Sequence, residues 1–413
     1  MDCAPRDAWH SRRTPTILVI NGGSSSLKFA LFTHGAQPER LRAGRIERIG
    51  LPDATWTIGG TGAEPPETRR LDVLDHRAGV ALLIAWLERQ ALLADVVAVG
   101  HRVVHGGPRY FDPMRVTPSL LDELRRMASV DPDHLPSEIA LIEAFAALDR
   151  DRPQVACFDT AFHRELPAVA RLLPIPRRFA TAGIRRYGFH GLSFRYLMEQ
   201  LARIAGPTAA AGRVVLAHLG AGASVAAVRD GRSLDTSMSF TPAGGLVMST
   251  LPGDLDPGVV AALLRNVGGD PTALDRLLNR ESGLLGVSET SGDVRDLLAR
   301  EAADPRAAEA LALFCHQTKK WIGAYAAVLG GLDTLVFSGG IGENAAAIRA
   351  RICDGLDFLD VVLDPARNAT GAALVSRDGA RVAVRVIPTD EEATIARDVY
   401  AVLEGQGAAC AER

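Results

Sequence analysis

The chain of 413 residues lacks several features that would assign it to a common class. It has five cysteines, an odd number without a CxxC pair, so the sequence predicts neither a disulfide framework nor a zinc knuckle and fits a reducing compartment. It has no uncharged apolar run of about 18 residues, and residues 1–15 contain no apolar segment like that of a signal peptide. We therefore expect a cytoplasmic protein without membrane contact.

A strong excess of either charge is also lacking. The formal net charge is −3, and no basic stripe could neutralise a phosphate backbone, so we expect no nucleic-acid partner. Hydrophobic residues make up 47% and charged residues 23% of the chain, close to the average of globular proteins. The length suits two or three domains. Wholesale disorder and a single small binding module are excluded.

Lysine is scarce. Only three of the 46 basic residues are lysines, namely Lys28, Lys319 and Lys320. A compact, rotatable ammonium binds as a point charge, whereas the guanidinium of arginine is a flat fork. Lys28 follows directly after a Gly/Ser-rich turn. Its position therefore suggests a specific use.

Two segments predict β-hairpins with small residues at the tip, one over 16–32 and one over 213–229, the second continuing through an Asp-Gly turn into a third strand. This repetition predicts a duplicated chain. Backbone N–H groups at such tips suit phosphate oxygens. A tight turn is the simpler explanation for one tip, but two tips together with Lys28 favour phosphate binding.

A third glycine turn, GGIGEN at 339–344, lies between a predicted buried strand and a helix around 348–352. Strand, glycine turn and helix N-terminus together favour a nucleotide or another anion. The chain has no GxxxxGK[ST] motif, and GGIGEN does not fit GxGxxG. Elsewhere the apolar periodicity predicts an α/β fold, with helices over 78–93, 136–148, 307–329 and 391–403 and strands over 96–104 and 334–337.

Several polar residues occupy positions that suggest chemistry. Arg102 ends an apolar strand, where a cation needs an anionic partner; a substrate carboxylate and a structural salt bridge are both open. Asp159 lies at a strand terminus, and His190 lies between glycines, where little packing explains it. His101 and His105 would be roughly 13 Å apart on a strand, so they cannot share a metal ion.

Nine segments resemble acetate kinase, and the match extends from about Ile17 to Leu403. In chain order they are VINGGSSSLKF, GHRVVHGG, FDTAFH, RRYGFHG, DTSMSFTPAGGL, GDLDPG, SGDVRDL, FSGGIGEN and IPTDEEATIAR. The resemblance implies a duplicated two-lobe, actin-like (ribonuclease-H-like) ATPase fold with an active-site cleft between the lobes. The N-terminal lobe would comprise 1–160 joined by a C-terminal helix in 391–413, and 161–390 would form the nucleotide-binding lobe.

The resemblance also implies reversible transfer of the γ-phosphoryl group of ATP to acetate or propionate, giving an acyl phosphate and ADP. It implies Mg²⁺ or alternatively Mn²⁺ as cofactor, and a homodimer. Arg102 would orient the carboxylate, Asp159 would be the active-site acid and His190 would steady the transferring group. The other implied residues are Asn21 and Glu391 for the metal, Lys28, Ser24 and Ser26 for phosphate, and His218, Leu219, Gly220, Ala221, Gly222, Asp293, Val294, Arg295, Gly340, Ile341, Gly342, Glu343 and Asn344 for ATP.

The sequence departs from the family pattern at three places. Leu251 stands where the family has an arginine that stabilises the transition state, Ala221 stands where asparagine is usual, and the segment 130–137 is altered. A catalytically weakened actin-like ATP-binding protein, acting as a sensor or scaffold, is therefore an alternative. A kinase for a longer carboxylate, such as butyrate kinase, is a third hypothesis, which the GFHG and GGIGEN segments disfavour. For Asp293 the simpler role of a helix N-cap also stays open.

Overall fold

The computed structural model describes residues 14–23, 26–50, 53–60, 67–71 and 75–405. The chain forms two compact units. Unit 1 consists of the described residues within 1–103, 112–157 and 392–413, and unit 2 consists of 104–111 and 158–391. The short segment 104–111 thus belongs to unit 2, although the chain on both sides of it belongs to unit 1.

The strands come mainly from segments rich in β-branched and other apolar residues. In chain order they are β1 (Thr16–Gly23), β2 (Ser26–Thr33), β3 (Arg40–Glu47), β4 (Ala54–Gly60), β5 (Glu67–Leu71), β6 (Val96–Val103), β7 (Met114–Arg115), β8 (Gln154–Phe158), β9 (Val214–Leu219), β10 (Ala223–Arg229), β11 (Arg232–Thr236), β12 (Thr334–Ser338) and β13 (Ala383–Val386).

The α-helices of the described residues follow in the same way. They are α1 (His76–Arg89), α2 (Pro118–Met127), α3 (Leu135–Leu148), α4 (Ala168–Arg171), α5 (Arg177–Thr181), α6 (Gly191–Ala205), α7 (Pro207–Ala211), α8 (Pro257–Asn266), α9 (Pro271–Arg280), α10 (Gly283–Ser288), α11 (Val294–Arg300), α12 (Pro305–Leu329), α13 (Gly339–Asn344), α14 (Ala346–Cys353), α15 (Pro365–Ala369) and α16 (Glu391–Leu403).

Many helix starts are encoded locally. Helices α8, α9, α12 and α15 each begin at an Asp-Pro pair, in which the aspartate accepts a hydrogen bond from a backbone N–H of the first turn. Proline suits the first helical position because its missing N–H would have no partner there. None of the helices in the described part of the chain has the length and apolar character required to cross a bilayer.

The sheet of unit 1 has the strand order β5-β4-β3-β2-β1-β6-β8-β7. Strands β1 to β5 form an antiparallel meander, and β1 pairs in parallel with β6. Alternate side chains of β1 and β2, such as Leu18, Ile20 and Phe29, pack with Leu83 of α1 and Leu141 of α3 in one apolar core. This core holds the β1–β2 hairpin firmly.

The sheet of unit 2 has the order β11-β10-β9-β12-β13. Strands β9, β10 and β11 form an antiparallel meander, and β9 pairs in parallel with β12. The order β11-β10-β9-β12 therefore repeats the order β3-β2-β1-β6 of unit 1, which confirms the predicted duplicated α/β fold. The β10–β11 turn is built by Asp230 and Gly231, both with positive φ (53° and 73°), as expected for a two-residue hairpin loop.

Two predicted elements differ from the structure. Helix α1 ends at Arg89 rather than at residue 93, because Ala91 adopts a positive φ of 54° and breaks the helical path. The predicted glycine turn at 339–344 is itself the short helix α13. Its first backbone N–H, that of Gly339, donates to the Glu343 carboxylate at 2.9 Å, which satisfies a group that helix geometry leaves unpaired.

Candidate active site

The β1–β2 hairpin places two predicted site residues side by side. Asn21 and Lys28 lie directly opposite each other in the antiparallel ladder. Lys28 is exposed, whereas Asn21 is half-buried. Ser26 pairs with Gly23 at the end of the same ladder, and Ser24 lies outside the described residues. The hairpin end in unit 1 therefore combines an amide, an ammonium and a hydroxyl group.

Arg102 lies in β6, next to this hairpin. Ile20 of β1 pairs with His101 of β6, so Asn21 and Arg102 follow as the next residues of two neighbouring strands. Arg102 Nη1 donates to Glu138 Oε1 of α3 at 3.2 Å. The Arg102 side chain is 14% exposed and that of Glu138 is 1% exposed. The structural salt bridge that the sequence left open is thus present in this structure.

A second ion pair lies at the start of α3. The ring nitrogen Nδ1 of His134 donates to Asp131 Oδ1 at 2.9 Å, and the His134 backbone N–H donates to the same oxygen at 3.2 Å. Burial alone would lower the pKa of His134, but Asp131 and Glu138 outweigh it and raise this pKa above its usual value. Burial would raise the pKa of Asp131, but His134 and Arg102 hold it below its usual value. The altered segment therefore carries an ion pair between the buried Asp131 and the half-buried His134.

In unit 2, Asp159 and His190 are held close together through the backbone. Asp159 follows β8 and is fully buried. Its carbonyl oxygen accepts a hydrogen bond from Gly191 N at 2.7 Å, and His190 immediately precedes Gly191 in a left-handed conformation (φ 61°) at the start of α6. A Cβ atom at Gly191 would overlap the Asp159 carbonyl oxygen. Only glycine allows this approach.

The imidazole of His190 packs against that of His218 at the end of β9. The ring centroids are 4.3 Å apart and the planes are inclined by 27°. His190 Nδ1 is hydrogen-bonded to Ser224 Oγ at 2.8 Å, and His218 Nδ1 is hydrogen-bonded to Ser193 Oγ at 2.8 Å. A Cβ atom at Gly222 would lie 3.3 Å from His190 Nε2. The glycine tip of the β9–β10 hairpin, residues 220–222, therefore lies against the His190 ring.

The glycine tip of the β9–β10 hairpin lies against the start of α13. Gly220 N donates to Gly222 O at 2.9 Å, and a Cβ atom at Gly220 would lie 3.9 Å from Gly340 N. Gly339 adopts φ 74°, and a Cβ atom there would lie 2.7 Å from Leu219 O. Backbone groups from two glycine segments therefore converge, as phosphate sites require.

A cavity of about 500 Å³ opens beside this junction. Such a volume is typical of small-molecule sites. The predicted residues that line it are Gly220, Ala221, Asp293, Val294, Arg295, Gly340, Ile341 and Asn344. The lining residues that sequence reasoning missed are Ser249, Gly292, Leu298 and Ala345. Leu298 lies one helical turn after Val294, and Gly292 and Ala345 adjoin predicted residues. This spacing was the signal in the sequence that could have identified them as lining residues.

Five predicted nucleotide residues do not line this cavity: His218, Leu219, Gly222, Gly342 and Glu343. Glu343 instead accepts backbone hydrogen bonds from Gly339 at 2.9 Å and Thr389 at 3.1 Å. Its carboxylate therefore ties α13 to the segment before α16. Asp293 lines the cavity and also caps α11, accepting from Arg295 N at 2.8 Å, so the N-cap role that the sequence left open is present.

Arg349 of α14 is a structural residue that the sequence did not reveal. It is 1% exposed. Its Nη1 donates to the carbonyl oxygens of Gly342 and Glu343, each at 2.9 Å, and its Nε donates to Asn368 Oδ1 at 2.8 Å. Burial lowers the pKa of this guanidinium. Arg349 thus satisfies carbonyl groups at the end of α13 and holds that helix in place.

The predicted metal ligands, Asn21 and Glu391, carry oxygen donors. Among the described residues, no group of three or more His, Cys, Asp or Glu side chains forms a metal site by itself. Asn21, Asp159 and Glu391, the first residue of α16, supply amide and carboxylate oxygens. Mg²⁺ prefers oxygen ligands and commonly uses one or two carboxylates together with substrate phosphates and waters. Each of these side chains by itself offers the kind of oxygen ligand that Mg²⁺ prefers.

Leu251, where the resemblance implies an arginine, lies in a well-defined loop. Its carbonyl oxygen accepts from Met248 N at 2.9 Å. Gly283, with φ 63°, approaches so closely that a Cβ atom would lie 2.7 Å from Leu251 N. The backbone at this position is therefore fixed by neighbours that do not depend on the Leu251 side chain.

Comparison with known proteins places the chain among carboxylate kinases. A sequence profile of the Acetokinase family matches residues 16–397. The acetate kinase of Rhodopseudomonas palustris (strain ATCC BAA-98 / CGA009) is 44% identical over 394 residues, covering 94% of this chain and 98% of that protein. The propionate kinase of Citrobacter rodentium (strain ICC168) is 46% identical over 391 residues, covering 94% and 96%.

Solved structures agree with these relatives. The crystal structure of Porphyromonas gingivalis acetate kinase has a TM-score of 0.83 at 34% identity, covering 94% of this chain and all (100%) of that chain. The propionate kinase from Francisella tularensis subsp. tularensis SCHU S4 has a TM-score of 0.87 at 35% identity, covering 93% and 98%. The profile match, the identities and the shared fold extend over nearly the whole chain, and the protein therefore belongs to the acetokinase family.

Proposed function

We propose that the protein transfers the γ-phosphoryl group of ATP to acetate or propionate, giving an acyl phosphate and ADP, in a reversible reaction. The observation that carries this proposal is the cavity beside the glycine tip of β9–β10 and the start of α13, in a chain of the acetokinase family. Residues 161–390 would bind the nucleotide. Residues 1–160 with 391–413 would supply the carboxylate contact.

The nucleotide would occupy the cavity lined by Ala221, Gly292 and Gly340. Its phosphates would extend towards the glycine tip of β9–β10, where backbone N–H groups and the stacked rings of His190 and His218 lie. Phosphoryl transfer requires mainly in-line positioning and neutralisation of charge on the equatorial oxygens. The imidazole of His190, fixed by Ser224, would hold the transferring group in position.

The acceptor carboxylate is already ionised, so the reaction needs no strong base. Arg102 would orient this carboxylate, and Lys28 with Ser26 would contact phosphate oxygens. Asn21 and Glu391 would hold Mg²⁺. Asp159 would organise the metal or a water molecule rather than accept a proton. When bound, Mg²⁺ neutralises charge on the phosphates and polarises them as a Lewis acid.

Acetate and propionate remain joint candidates for the acceptor. One methylene changes preference by only about 1 to 3 kcal/mol in an apolar pocket. The acetate kinase relative at 44% identity and the propionate kinase relative at 46% do not separate the two. The alternative of a nucleotide-binding protein without transfer activity is not favoured, because relatives named as kinases match 94% of the chain.

The test is formation of acyl hydroxamate from ATP, Mg²⁺, hydroxylamine and acetate, propionate or butyrate. We expect product with acetate or propionate, and loss of product in Arg102→Ala. Arg115→Ala is the matched control, because Arg115 is an exposed arginine of the same unit, on β7, outside the proposed site. Absence of product from all three acids at high enzyme concentration would overturn the proposal.

A further inference from the structure

The end of the β1–β2 hairpin is hydrogen-bonded to the start of α1. The ring nitrogen Nε2 of His76, the first residue of α1, lies 2.7 Å from the carbonyl oxygen of Gly23, the last residue of β1. A carbonyl oxygen only accepts hydrogen bonds, so the imidazole carries a proton on Nε2 and donates it. The two residues are 53 positions apart in the chain. Tertiary packing alone therefore brings them together.

Helix α1 holds His76 in a fixed position. Asp75 caps the N-terminus of this helix, and its Oδ1 accepts a hydrogen bond from Ala78 N at 2.8 Å. Further along α1, Leu83 is fully buried and belongs to the same apolar core as Phe29 of β2. The helix that carries the imidazole and the hairpin that carries its acceptor are thus packed in one core.

The end of β1 is closely packed on its own account. Gly23 pairs with Ser26 across the ladder, and a Cβ atom at Gly23 would lie 2.8 Å from Ser26 Oγ. A Cβ atom at Gly22 would overlap Leu141 Cδ1 of α3. Both α3 and, through His76, α1 therefore hold the end of this strand.

The bond from His76 also decides where the carbonyl oxygen of Gly23 points. This oxygen carries a partial negative charge, so it would repel phosphate oxygens if it turned towards them. The bond directs it to α1 instead. Ser26 and Lys28 lie two residues apart on β2, so their side chains leave the strand on the same face of the sheet. That face of the hairpin end carries a hydroxyl and an ammonium group, which suit a phosphate.

We propose that His76 is a positioning residue for phosphoryl transfer, which holds the Gly23 carbonyl and with it the hairpin end that contacts phosphate. This inference rests on the phosphate contacts of Lys28 and Ser26 in the proposed function. His76 acts through the backbone of Gly23 and does not itself touch the substrate. Because its bond exists before a ligand arrives, the hairpin end needs no reorganisation during the reaction.

The primary test compares two replacements of His76 in the acyl hydroxamate assay. His76→Phe keeps a flat ring without a donor, and we expect kcat to fall about tenfold to a hundredfold, since small misplacements of reacting groups are costly. His76→Gln keeps an N–H donor near the position of Nε2, and we expect it to retain most of the activity. The KM for acetate or propionate should stay unchanged in both, because Arg102 lies on β6 and not on the hairpin. Equal losses of kcat in the two variants, or an unchanged kcat in His76→Phe, overturn the inference.

His34→Phe is the matched control. His34 follows β2 at the opposite end of the same hairpin, where its half-buried ring packs against Tyr400 at 5.0 Å. This variant makes the same replacement away from the phosphate contacts and should leave kcat unchanged. Urea denaturation establishes that each variant is folded under the assay conditions. A loss of stability in His76→Phe without a loss of kcat would mean that the bond is merely structural, which overturns the inference.

The position of the His76 proton supplies a readout that does not depend on turnover. Long-range ¹H–¹⁵N correlation spectra of the protein labelled at histidine distinguish an Nε2–H from an Nδ1–H tautomer, and the signals lost in His76→Gln identify His76. In mildly alkaline solution, where an imidazole carries one proton, we expect the Nε2–H tautomer. The Nδ1–H tautomer overturns the inference even where phosphoryl transfer is observed. Absence of transfer in the unmodified protein overturns the proposed function but leaves the tautomer comparison valid.

Discussion

The rings of His190 and His218 stack at 4.3 Å, and each ring is hydrogen-bonded at Nδ1 to the hydroxyl of a serine from another element. His190 also has a left-handed backbone (φ 61°), which fixes the direction in which its side chain leaves the chain. The two rings are therefore set in orientation before any ligand binds. Groups that are held in place before binding can stabilise a transition state without the cost of reorganising during the reaction.

Removing the Ser224 hydroxyl should loosen the ring of His190, because its hydrogen bond at Nδ1 is lost. We expect Ser224→Ala to lower kcat by about tenfold to a hundredfold, since small misplacements of a positioning group are costly, with a smaller effect on the KM for ATP. Steady-state kinetics of acyl phosphate formation measure this. Ser233→Ala is the control, because Ser233 makes the same kind of hydrogen bond to the buried His163. An equal loss of kcat in both variants would contradict the assignment.

Gly191 links Asp159 to His190. Because a Cβ atom would overlap the Asp159 carbonyl oxygen, Gly191→Ala must displace one of these segments. We expect kcat to fall by about a hundredfold or more and the free energy of unfolding to fall as well. Enzyme kinetics and urea denaturation measure the two effects.

Gly323→Ala is the matched glycine control. Gly323 lies inside α12, and a Cβ atom there would meet no heavy atom within 4 Å. Alanine is favoured over glycine in a helix by about 1 kcal/mol, so this variant should be slightly more stable with unchanged kcat. If Gly191→Ala behaved like Gly323→Ala, the close approach to Asp159 would have no functional role.

Substitution of Leu251 tests the effect of the arginine that the family pattern has at this position. Leu251→Arg is expected to raise kcat while leaving the affinity for ATP unchanged, because an arginine acting on transition-state charge can contribute about 10³-fold. Leu255→Arg adds the same charge at a 38% exposed position of the same loop and should not raise kcat. A lack of any gain in Leu251→Arg would mean that another group already supplies this charge.

Two buried histidines make stability depend on pH. Burial lowers the pKa of His101 and of His163 to about 4, and His101 Nε2 donates to Gln154 Oε1 at 2.6 Å in the neutral form. Between pH 6.5 and pH 4 the unfolded chain binds these protons more readily than the folded chain. The free energy of unfolding should therefore fall as pH falls through this window, by up to about 3 kcal/mol per histidine.

Urea denaturation at pH 6.5 and pH 4.5 checks this dependence. His163→Gln should reduce the difference between the two pH values, whatever its effect on overall stability. His316→Gln should leave the difference unchanged, because His316 is exposed on α12. An undiminished pH dependence in His163→Gln would show that His163 is not buried in its neutral form.

Much of the fold could be predicted from short stretches of sequence. The sequence predicted both duplicated hairpins, β1–β2 and β9–β10, the turn at Asp230 and helix α16 at Glu391–Leu403. These features follow from alternation, turn residues and helical periodicity, which act within a few residues. The end of α1 at Arg89 and the helical conformation of 339–344 were not predicted. A backbone turn at Ala91 and a carboxylate reaching back from Glu343 override the local pattern there.

The sequence by itself determined the doubled sheet topology and the kinds of groups at the site, because strand pairing and glycine tips follow from local side-chain pattern. Only the tertiary structure decided which partner each group has. Glu138, 36 residues from Arg102, and Asn368, 19 residues from Arg349, pair with these arginines only after distant segments pack and exclude water. Burial creates the need for those partners, and burial depends on the whole fold.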